Sequence, residues 1–185
     1  EQESDVYFEL KAAGRAGKEK QIGQGFLNLK QLLAGGRDFI SERVAMQGRE
    51  GASAGTLTVT VAALHALRNA VAAPALPAGP SGGSVIQVEV GSLQLTPAMR
   101  NDPEVGDVWV EVDLVDLGDK SALTTQRVRK TTSPLDFRFR YELPVAPGSK
   151  EQGALRGVMQ SADEQESDVY FELKAAGRAG KEQQL

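Results

Sequence analysis

Apolar and polar residues alternate in short runs along most of this chain, and turn residues separate the runs. Val85-Ile86-Gln87-Val88-Glu89-Val90 has the period of two that places every second side chain on one face of a strand. Val108, Val110, Val112 and Leu114 alternate with Trp109, Glu111 and Asp113 in a second strand. Leu123 to Lys130 and Leu135 to Val145 read as two more, parted by the turn signal Thr131-Thr132-Ser133-Pro134. Val169 to Leu173, Gly25 to Leu29, Phe39 to Met46 and Thr56 to Ala62 complete the set. A helical turn is expected at Lys30 to Ala34, ended by Gly35-Gly36. A short helix is expected at Ser149 to Gln160, where Ser149 can cap and Leu155, Val158 and Met159 fall at helical spacing. About eight short strands, one short helix and no strand–helix–strand rhythm predict an all-β, antiparallel sandwich.

The chain repeats itself. Glu1 to Glu19 and Glu164 to Glu182 both read EQESDVYFELKAAGRAGKE, 163 positions apart. Past the identity the copies continue as Lys20-Gln21-Ile22 and Gln183-Gln184-Leu185. Such drift is expected between tandem repeats, with an engineered circular permutant carrying overlapping ends as the competing reading. Ala70 to Ser84 is rich in Pro, Gly and Ala and carries no charge, a linker composition. Residues 1–69 are therefore expected to be the C-terminal portion of one unit, 70–84 a linker and 85–185 the N-terminal portion of the next. The two portions are expected to close into one permuted sandwich. A sandwich has one slot for the strand that occurs at both Val6–Leu10 and Val169–Leu173. One copy is expected to pack inside, with the other loose or docked on a neighbour.

Composition narrows the function classes. Of 185 residues 41% are hydrophobic, enough for a packed core. A net charge of −4 argues against a binder that neutralises phosphates along a whole face, so no nucleic acid is expected. The chain has no cysteine, which removes disulfides, thiol catalysis and the usual structural zinc, and fits a reducing, cytoplasmic compartment. Its apolar runs fall short of a membrane span.

Candidate chemistry is sparse. His65, the only histidine, has no serine elbow or HExxH context and is expected to be structural or superficial. Gly14-Arg15-Ala16-Gly17-Lys18 lacks the spacing of a phosphate loop. No catalytic residue, cofactor or metal ligand is expected. Arg127, Arg129, Arg138 and Arg140 alternate with Val128, Phe139 and Tyr141, so on two adjacent strands they would share a solvent face. That stripe could meet an acidic partner or an anionic lipid surface. Alternatively, Glu111 and Asp113 on a neighbouring strand neutralise it as cross-strand pairs.

Taken in the order Val85 to Leu185 and then Gly23 to Ala70, the chain resembles the C-terminal C2-like domain of the RPGR-interacting protein family. Gly36-Arg37-Asp38-Phe39-Ile40-Ser41-Glu42 resembles the family's GRDLIEQ stretch. Gly55-Thr56-Leu57-Thr58-Val59-Thr60-Val61, followed by Ala63-Leu64-His65-Ala66-Leu67, is similar to its G-x-L-x-V-T-V-x-A-L-H-A-L ending. Asp163-Glu164-Gln165 resembles the acidic DEQ that precedes them, and the early strands match in pattern only. The resemblance implies a C2-like, non-catalytic scaffold module at the ciliary or flagellar base or axoneme. Its partners would be the β-propeller of retinitis pigmentosa GTPase regulator and neighbouring repeats of the same protein. It also implies calcium independence, so Asp113, Asp116 and Asp119 are expected to form a solvated acidic turn and not a calcium loop, which would need six to eight oxygens. The alternative is a peripheral membrane C2 module using the four arginines.

Overall fold

The computed structural model describes residues 19–48, 51–72 and 83–177. Eight antiparallel strands form one sheet: β1 (Glu19–Asn28), β2 (Phe39–Gln47), β3 (Ser53–Ala62), β4 (Ser84–Leu95), β5 (Asp107–Leu114), β6 (Val128–Arg129), β7 (Leu135–Val145) and β8 (Asp168–Ala176). Their order is β6-β5-β8-β1-β2-β3-β4-β7. The sheet curls until β7 comes back to β6, giving an almost closed antiparallel sandwich. The first portion of the chain supplies the central block β1-β2-β3, and the second flanks it on both sides, because β8 pairs with β1 and β4 with β3.

The alternation seen in the sequence packs the interior. Val108, Val110, Val112 and Leu114 of β5 face inward with Val169, Phe171, Leu173 and Ala175 of β8. From the other side come Leu57, Val59 and Val61 of β3, Ile86, Val88 and Val90 of β4, and Phe137 of β7. Each large side chain so buried contributes roughly 1.5–3 kcal/mol.

Among the described residues there are four α-helices: α1 (Leu29–Gly35), α2 (Leu64–Val71), α3 (Pro97–Asn101) and α4 (Lys150–Gln160). Ser149 Oγ accepts from the Gln152 amide, as the expected cap of α4. Gly36, in the left-handed region at φ 66°, ends α1. α2 and α3 go beyond the expected helical set. Ala66, Leu67 and Ala70 bury one face of α2, and α2 packs on α4. The Asp38 carboxylate starts α2 from outside it, accepting from the amides of Ala63 and Leu64 at 2.8 Å each.

Two strands differ from their expected spans. β1 starts at Glu19, well before Gly25, because β8 supplies a ladder along its whole length, with a bulge between Gln21 and Gly23. Of Leu123 to Lys130 only Val128–Arg129 is a strand. The preceding residues still follow β5, with Val112 donating to Leu123 O and Thr125 to Val110 O. The Thr125 hydroxyl accepts from the Val110 amide at 3.0 Å, so a side chain replaces one rung.

Asn28 links helix to sheet. Its Oδ1 accepts from the Gln31 amide and caps α1. Its Nδ2 faces the Glu164 carbonyl, Ser167 Oγ and Asp168 Oδ1 at 3.0, 2.8 and 2.7 Å, fixing the start of β8.

Candidate functional site

The four arginines lie on the two margins of the sheet, Arg127 and Arg129 at or beside β6 and Arg138 and Arg140 on β7. β6 and β7 stand at opposite ends of the strand order and meet only where the sheet curls round. Arg127, just before β6, pairs with Glu19 of β1. Arg138 pairs with Asp136 at 2.7 Å, and Arg140 with Glu142 at 2.6 Å and Glu89 at 3.6 Å. Arg129 is exposed on β6, in register with Asp107. The expected neutralisation by Glu111 and Asp113 is not the one found. Glu111 engages Lys174 and Trp109, and Asp113 Oδ1 accepts from the Asp116 amide. β5 lies beside β8 and β6, away from β7, which is why its acids miss Arg138 and Arg140.

Asp113 lies near the end of β5, and Asp116 and Asp119 in the turn that follows. Asp119 accepts from the hydroxyl and amide of Ser121, which hold its carboxyl below the usual value. Asp116 lies 3.9 Å from Lys120. Among the described residues no three His, Asp or Glu side chains converge as a metal site would require. His65 is exposed on α2. Gly14 to Lys18 and the strand copy Val6 to Leu10 lie outside the described residues.

A different surface gathers the chemistry. β8 runs between β1 and β5, and its outward side chains are Tyr170, Glu172 and Lys174. Register places Tyr170 between Phe26 and Asp113, Glu172 between Gln24 and Glu111, and Lys174 beside Trp109. Phe26 is 55% exposed, and its ring stands 5.9 Å from that of Tyr170.

Trp109 has the opposite character. It occupies the outward phase of β5 yet is only 2% exposed. The Arg127 guanidinium lies 4.0 Å from its ring centroid, and its Nε1 donates to Glu111 Oε1 at 3.1 Å. Glu111 in turn stands 3.5 Å from Lys174 Nζ, which is 2.6 Å from Glu172. Burial alone would lower the Lys174 pKa. The hydrogen bond and charge of Glu172, with the charge of Glu111, outweigh burial and hold it above the ordinary value. Burial raises the Tyr170 phenol, and the Asp168 carboxylate raises it further.

The face thus has a rigid, charge-paired end at Trp109 and an open aromatic end at Phe26. Tyr170 and Arg127 on it are of the residue types enriched among the hot spots of protein interfaces. The signal for it lay in the sequence: Trp109 sits on the polar phase of its strand, with Glu111 and Asp113, where a buried tryptophan has no reason to be unless something covers it. Phe26 sat in a segment whose period was masked by Gly23 and Gly25. No protein-family model matches the chain, and no curated protein matches it in sequence.

Proposed function

We propose that the chain is a non-catalytic protein-interaction module that docks its partner on the outward face of β1, β8 and β5. The observation that carries this is the Phe26–Tyr170 pair, an aromatic patch left open beside a charged network already satisfied internally. An interface needs such a combination, an apolar anchor to desolvate and polar groups that cost little to bury. The resemblance to the C2-like domain of the RPGR-interacting protein family supplies the partner class: the propeller of retinitis pigmentosa GTPase regulator, at the ciliary base or axoneme, with scaffold repeats alongside. Two of the stretches that carry that resemblance touch directly, through the Asp38 carboxylate and the amides of Ala63 and Leu64.

Titrating the propeller against the wild-type chain and against Phe26→Ala tests the reading. Binding that weakens by roughly 30-fold or more in the variant is expected for an interface anchor. No binding by the wild type, or equal binding by both, sinks it. The membrane alternative has less to rest on, since Arg127, Arg138 and Arg140 already have acidic partners. Sedimentation with phosphoinositide vesicles at physiological salt decides that alternative, with no pelleting expected.

A further inference from the structure

β8 is the C-terminal copy of a segment the chain carries twice, and its pairing with β1 is a hairpin lacking only its covalent turn. Ala176 stands opposite Glu19. Glu19 recurs as Glu182, so in sequence the strand and its partner are joined by the five residues Gly177 to Lys181. The identical five, Gly14 to Lys18, join Ala13 to Glu19 itself. A hairpin turning through Gly14 to Lys18 would therefore lay Asp5 to Ala13 along β1 in the register that β8 now holds, from Glu19 opposite Ala13 to Asn28 opposite Asp5.

Nearly everything that fixes β8 is inside the duplicated stretch. Val169, Phe171, Leu173 and Ala175 are buried, and their counterparts are Val6, Phe8, Leu10 and Ala12. The three acceptors facing Asn28 Nδ2 belong to Glu164, Ser167 and Asp168, and their counterparts are Glu1, Ser4 and Asp5. Lys174, with its two glutamates, has its counterpart in Lys11. Contacts upstream of the duplication are few: Lys30 Nζ reaches the carbonyls of Ser161 and Asp163. The frame that uses Asp5 to Ala13 forgoes those two bonds and gains a five-residue tether. A short tether supplies an effective concentration on the order of millimolar, above that of a neighbouring molecule in solution.

We propose that the two copies exchange within one chain, the slot between β1 and β5 being filled by Asp168–Ala176 in one frame and by Asp5–Ala13 in the other. The surviving sheet is the same in both frames. What changes is which end of the chain is released, since filling the slot from the N-terminus frees the segment after α4. Both copies carry in sequence the Tyr, Glu and Lys that β8 turns outward, so the exchange is independent of the partner proposed above. It is a two-state element of the kind on which binding to one released end would act by mass action.

Three variants of the full chain test it: Phe8→Ala, Phe171→Ala and the double. Loss of a buried phenylalanine lowers the melting temperature by roughly 6–20 °C in a domain of this size. With exchange, each single variant keeps an intact copy and stays within about 3 °C of wild type by the same conversion, and only the double shows the full loss. Trypsin gives the positional readout: cleavage after Lys174 rises in Phe171→Ala and stays low in Phe8→Ala. The milder pair Phe8→Leu and Phe171→Leu should keep the same ordering if alanine unfolds the chain. A Phe171 variant that falls as far as the double, or that leaves Lys174 protected, overturns the proposal. So does a Phe171 variant that holds its stability only as a dimer by light scattering, because the strand would then come from another molecule.

Discussion

Asn28 Nδ2 lies 2.7 Å from Asp168 Oδ1, and both residues are buried. One amide thereby caps α1 with its oxygen and meets a carboxylate at the head of β8 with its nitrogen. Asn28→Ala removes a helix cap, at about 1 kcal/mol, and leaves a buried charged acceptor short of a partner, at about 1–3 kcal/mol. A total loss of roughly 2–4 kcal/mol in denaturant unfolding is expected. Asn28→Asp keeps the capping oxygen but sets a second carboxylate against Asp168. It should not recover the loss, and recovery would show that only the cap matters.

Arg127 is the lid of Trp109. Arg127→Ala should uncover the ring at a cost of about 0.5–1 kcal/mol, the ordinary worth of a cation–π contact near the surface. Since the chain has one tryptophan, its fluorescence reports on this site alone. The emission should shift to the red and become open to a neutral quencher. An unchanged spectrum would mean that the ring is held dry by something other than the guanidinium.

Stability should fall at alkaline pH by way of Lys174 and Tyr170. Both pKa values are raised in the folded protein, above 10.5 and 10.0 respectively. The folded state thus holds protons that the unfolded chain gives up more readily. The stabilisation is complete below those ordinary values and is lost as pH rises through the folded ones. Unfolding measured from pH 9 to 12 should show the decline, and Lys174→Met with Tyr170→Phe should flatten it.

Arg138 occupies the left-handed region at φ 46°, where β7 bulges against β4 between Val90 and Ser92. That conformation costs a residue with a Cβ roughly 1–2 kcal/mol, and its pair with Asp136 is too exposed to offset that cost. Arg138→Gly should therefore be neutral or stabilising, while Arg138→Val should destabilise. Melting curves of the two variants check this, and a glycine variant weaker than the valine one would refute the strain.

The strands were legible where one face was buried and the other wet. Thr56 to Ala62 and Val108 to Leu114 sit in the sheet with the phase their alternation demanded. Leu64 to Val71 was not, since its AALHALRN pattern directly follows a strand and its cap comes from Asp38, remote in sequence. Leu123 to Lys130 has strand composition, but Thr125 satisfies the Val110 amide through its side chain, and no propensity records such a substitution. The arginines were legible as exposed. Their partners were not, because strand order depends on pairing between distant segments, and that order carried Glu111 away from β7.

The curled sheet ends in β6, two residues long, and in β7, which carries the Arg138 bulge and Pro144. Gln126 reaches across the seam to the Phe137 carbonyl at 3.4 Å. A short border, a kink and a proline are what keeps a sheet from recruiting another along its margin. Units of this design would stay discrete however many were strung on one chain, like beads that touch without fusing. Any order among them would have to come from their faces or from the lending of a strand.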